Sequence, residues 1–85
     1  MDYRERKYYR VAFEKKEHNN IMPQIKARIN TAKIKDKDAT GCMVIMIVSC
    51  RFDEDQKLND FFNEILRNIT PHIFIRQITK ENYGQ

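Results

Sequence analysis

The chain has 85 residues, 33% of them charged and 41% hydrophobic, with a net charge of +4; this suits one small compact domain and excludes a disordered chain. Its only glycines are Gly41 and Gly84, which excludes the Gly-rich loops of dinucleotide and P-loop sites. The positive charge is uneven: residues 1–37 carry eleven Lys or Arg against five Asp or Glu, and residues 38–85 carry five against seven, so the front half attracts phosphate backbones or acidic proteins.

Lys7 to Phe13 reads as the first strand. Period 2 puts Tyr9, Val11 and Phe13 on a core face, and Tyr8, Arg10 and Ala12 on the other. Glu14 to Asn20 is expected to be a loop, with Asn19-Asn20 as a turn or helix start. Residues 21–35 support two readings. As a helix capped by Asn20, with Pro23 in its first turn, they gather Ile21, Met22, Ile25, Ile29 and Ala32 on one arc. As a strand, Ile25, Ala27, Ile29 and Thr31 alternate with Lys26, Arg28 and Asn30, and residues 36–41 become a hairpin loop. The helix is favoured slightly, because the strand needs a phase slip at Ala32.

The central stretch is Cys42 to Phe52, the longest apolar run, whose β-branched residues mark a strand buried on both faces. Cys42 and Cys50 share a face of it but stand roughly 26 Å apart at ~3.3 Å per residue, so they cannot bridge. The run is too short to cross a membrane, and the N-terminal residues lack the apolar segment of a secretory signal; a cytoplasmic protein is expected.

Asp53 with Gln56 reads as a capping box. Leu58, Phe61, Phe62, Ile65, Leu66 and Ile69 then follow helical spacing until Thr70-Pro71. His72 to Thr79 makes a last strand. The expected fold is α+β, a small two-layer sandwich of a three- to four-stranded sheet and one or two helices, ending in a β-α-β unit. It is one domain over 1–85, with 1–6 and 80–85 as flexible ends.

No catalytic constellation emerges. His18, His72, Cys42 and Cys50 lack metal-site spacing. Asp53, Glu54, Asp55 and Lys57 have the letters of a metal-dependent nuclease element, but capping explains them. Ser49 and Cys50 have no nucleophile elbow around them. A non-enzymatic protein without cofactor or metal is therefore expected.

Two binding roles remain. Residues 7–13 interleave cations and aromatics, as on a strand where bases stack while cations hold phosphates; they lack the glycines of the RNA-recognition strand motif and indicate no family. Arg4, Arg6, Lys7, Arg10, Lys26, Arg28, Lys33 and Lys35 would hold phosphates, with Tyr8 as stacking platform. The alternative is an inhibitor or regulator that binds a larger protein through an edge strand or the uncovered sheet face at Met43, Ile45 and Ile47, or that forms a homodimer through that face. Abundant Ile, Lys and Asn suit an AT-rich source such as a phage or mobile element. Helices on both sheet faces would remove the need for a partner.

Overall fold

A computed structural model describes residues 5–79, and its elements run β-α-β-β-α-β. β1 (Arg6–Glu14) passes through a 3-10 turn into α1 (His18–Arg28). β2 (Lys33–Thr40) and β3 (Met43–Arg51) follow as a hairpin. The second helix covers 55–69: α2 (Asp55–Phe61), a π-helical segment Phe62–Leu66 and α3 (Arg67–Ile69). β4 (Phe74–Ile78) closes the chain.

The four strands form one sheet in the order β2-β3-β1-β4, and every neighbouring pair is antiparallel. Both β3 and β4 oppose β1, so they run parallel to each other with β1 between them. The C-terminal β-α-β unit therefore exists, but it is split by β1. Likewise β1 and β2 flank β3, which gives the split β-α-β arrangement of two interleaved halves.

Both helices lie on one face. Tyr9, Val11, Phe13, Val44, Met46, Val48 and Cys50 from the central strands pack with Ile21, Ile25 and Ile29 and with Leu58, Phe61, Phe62 and Leu66 in one cluster. This is the core, and the parity read along β1 and β3 is correct. Helices on both faces do not occur among the described residues. Among the described residues, no helix or strand covers the opposite face of the sheet.

Residues 21–35 are neither all helix nor all strand. The helix begins at His18, so Asn20 lies inside it and does not cap it. It stops at Arg28, and residues 36–40 are strand, not the hairpin loop. The slip at Ala32 does not arise, because residues 25–28 are helical and β2 begins only at Lys33; β2 carries its own bulge between Asp36 and Asp38. The hairpin turn is Gly41-Cys42, where Gly41 alone takes a positive φ of 61°; a positive φ at only the first central position fits a type II′ turn. Cys42 is thus exposed in the turn while Cys50 is buried, and both thiols are free.

The capping box does not form. Phe52–Glu54 makes a 3-10 turn, and no side chain caps α2. Gln56 donates to Asp60 instead. Glu54 is buried and reaches across to the α1–β2 connection, accepting from Asn30 N at 3.0 Å, Thr31 N at 2.7 Å and Thr31 Oγ1 at 2.6 Å. Thr31 Oγ1 also accepts from Arg51 N at 3.0 Å. The clasp thus binds the end of β3 to the loop that launches β2. Its hydrogen bonds, the Thr31 hydroxyl first, hold the Glu54 carboxyl below the ordinary range although burial opposes them.

Candidate nucleic-acid interface

Residues directly opposite in a sheet present their side chains on the same face, so the registers give the open face row by row. One row crosses all four strands: Lys35 on β2, Ile47 on β3, Arg10 on β1 and Arg76 on β4. The row toward the start of β1 holds Lys33, Ser49, Tyr8 and Ile78, and the row on the other side holds Asp38, Ile45, Ala12 and Phe74. Four cations and two aromatics therefore share a surface that no helix covers.

Arg10 stands directly opposite Arg76. Like charges in this position destabilise a strand pair. Among the described residues neither has a hydrogen-bonded or ion-paired partner for its side chain, and Lys33 also has no ion pair. The other cationic cross-strand pair, Arg6 with Arg51, is compensated within the fold. Arg6 Nη2 donates to Thr31 O at 2.7 Å and Ser49 Oγ at 2.9 Å, and Arg51 Nε lies 3.7 Å from Asp53 Oδ1.

The basic residues expected to act together are divided by the sheet. Arg10, Lys33 and Lys35 reach the open face, and Tyr8 lies among them. Arg6 faces the same way but is used to tie β1 to β3 and the α1–β2 loop. Lys7 has the opposite parity, with its ammonium 5.6 Å from the centre of the Phe52 ring. Lys26 and Arg28 belong to α1 in the helix layer, where the Arg28 guanidinium lies over Phe61 at 5.6 Å. Arg4 lies outside the described residues. So do 1–4 and 80–85 of the expected flexible ends, whereas Arg6 already begins β1.

The apolar trio is also divided. Ile47 is only 2% exposed although no helix covers it. It stands between Arg10 and Lys35, both exposed, whose aliphatic stems flank it. Met43 and Ile45 are half-buried. The bare apolar face expected from the strand alone is in fact a narrow apolar strip lined with cations.

Three residues that sequence reasoning missed complete the surface: Arg76, Phe74 and Arg67. Phe74 is 70% exposed, the most exposed large apolar side chain among the described residues. With Arg10, Ala12, Arg67, Ile73, Ile75 and Arg76 it lines a shallow depression at the edge of the sheet. The alternation in Phe74-Ile75-Arg76 already separates Ile75 from its neighbours. Only the pairing of β4 with β1 brings Arg76 to Arg10.

The residues weighed for chemistry have other work. Asp53 lies beside Arg51, Glu54 forms the clasp, and Asp55 accepts from the Tyr9 hydroxyl, which also receives Asn59 Nδ2 at 3.0 Å. Burial, with the Asp55 hydrogen bond second, pushes Tyr9 up to about 12. Burial likewise raises the Cys50 thiol to about 11, with Asp55 adding to it, so Cys50 stays protonated at neutral pH and is a poor nucleophile. Among the described residues no three His, Cys, Asp or Glu side chains converge as metal ligands, and no helix is long and apolar enough to cross a membrane. Comparison with family models, curated proteins and solved structures gives no match.

Proposed function

We propose that this protein binds nucleic acid without catalysing a reaction, holding the phosphate backbone on the open face of its sheet with little discrimination of sequence. One observation carries the reading: Arg10 and Arg76 oppose each other without compensation, in a row that also holds Lys35. A fold gains nothing from such a pair, whereas a polyanion lying across the row turns the repulsion into two charge-assisted contacts. Lys33 extends the cationic strip, and Tyr8 offers a ring beside it. The split β-α-β sheet with one open face is also an architecture on which RNA-recognition modules stack bases; that likeness is one of fold alone.

Fluorescence anisotropy with a labelled oligonucleotide tests the proposal. Binding at micromolar protein in ~50 mM salt, weakening steeply as salt rises, is the expected result. The absence of salt-sensitive binding overturns it.

The rival role, a regulator docked on a larger protein, is favoured by a different observation: β2 and β4 end the sheet and could accept an added strand. Purification discriminates the two, since nucleic acid in the sample supports the first and a stoichiometric protein partner the second. A homodimer joined open face to open face is not proposed, because it would bring two uncompensated Arg10–Arg76 pairs together. A cytoplasmic setting, in which Cys42 and Cys50 remain thiols, belongs to the same proposal.

A further inference from the structure

Resting on that reading, we infer that Phe74 and Ala12 form a base-stacking subsite for a single-stranded nucleic acid, with Arg10, Arg67 and Arg76 holding the phosphates that flank the stacked base.

Phe74 stands opposite Ala12 on the open face, at the start of β4. The small Ala12 leaves a shallow floor beside the ring, and the 70% exposure of Phe74 leaves much of the aromatic surface in water. An exposed phenylalanine at a sheet edge is a liability for solubility and gains the fold little. Three arginines line the same depression: Arg10 and Arg76 from the next row, and Arg67 from the last turn of the second helix. An apolar ring bordered by cations matches a nucleotide, which is a flat apolar base joined to an anion.

The two aromatics argue for an unpaired strand. Tyr8 and Ala12 are four residues apart on β1, about 13 Å at ~3.3 Å per residue, and Phe74 lies one strand further across. Stacked bases within one strand are only ~3.4 Å apart. Spacing alone is compatible with bases about four apart, but a side-chain ring stacks only on an uncovered base face. In a duplex those faces are covered by neighbouring base pairs, so the two rings call for an unpaired strand with bases turned toward the sheet.

The test uses the intact chain with labelled dT12, U12 and a 12-mer of abasic sites, comparing wild type with Phe74→Ala and Phe74→Leu. The expected result is that both variants lose about tenfold in affinity for dT12 or U12, with unchanged salt slope and unchanged binding of the abasic strand. Because Leu keeps apolar bulk, an equal loss in Phe74→Leu identifies stacking as the cause. If wild type binds dT12 or U12 with a steep salt dependence and both variants bind as tightly, the subsite is wrong and the phosphate-binding face stands. If wild type binds neither, both ideas fall.

Discussion

On the proposed reading, Arg76 serves binding at the expense of stability. Its position opposite Arg10 costs the sheet about 0.2–1 kcal/mol. Arg76→Gln should therefore raise the melting temperature, by about 1–6 °C for a chain of this size, while weakening oligonucleotide binding and flattening its salt slope by about 0.7. Calorimetry and anisotropy on one preparation check both halves; a lowered melting temperature would mean that Arg76 is a structural residue. Tyr9 and Cys50 make the opposite kind of prediction. Both pKa values are raised in the folded chain, from 10.0 to about 12 and from 9.0 to about 11. The neutral forms are favoured by folding, so their contribution is whole below about pH 9 and is lost as pH rises through 11 and then 12. Denaturant melts from pH 8 to 12 should show falling stability, and Tyr9→Phe should flatten the upper part of that decline. At this scale the sequence was informative about the core, since parity alone sent Tyr9 inward and Arg10 outward. It was less informative about the cations. Lys7, Arg28 and Arg10 look alike as letters, and only their strand parity and helix placement divide them.

Elements were legible where apolar spacing is long and regular. Leu58 to Ile69 announces its helix, and Val44 to Cys50 its strand. Residues 18–40 were harder, because the helix there gives way to a strand without a proline or glycine to mark the change. What separates them is the Glu54 clasp, a contact with a residue more than twenty positions away, and no local pattern contains it. Glu54→Gln and Thr31→Val should each destabilise the fold, by about 1–3 kcal/mol. Glu54 is held below the ordinary carboxylate range, so its contribution is present above that range and lost as pH falls through the lowered value. Melting curves between pH 7 and 2 should accordingly show a shallower acid decline in Glu54→Gln than in wild type. An unchanged acid limb would show that the clasp does not depend on the charge.

At the scale of the whole molecule, the described helices cover one side of the sheet, and the proposed function rests on the composition of the other. The apolar run at the centre first suggests a greasy face. In the assembled sheet Ile47 lies between Arg10 and Lys35, and the strip that remains is basic. Dividing the chain into a basic front half and an acidic back half concealed Arg76, which the antiparallel pairing of β1 and β4 returns to the basic surface. Net charge along a sequence is a weak guide when first and last strands are neighbours.

The salt dependence of single-strand binding tests the central claim most directly, measured for wild type and for the double variant Arg10→Gln, Arg76→Gln. Contacts from Arg10, Lys33, Lys35 and Arg76, at about 0.7 per phosphate on a single strand, predict a slope of log affinity against log salt near −3. The double variant should fall to about −1.5 while melting no lower than wild type. A wild-type affinity indifferent to salt, or a double variant with the same slope, would contradict the account.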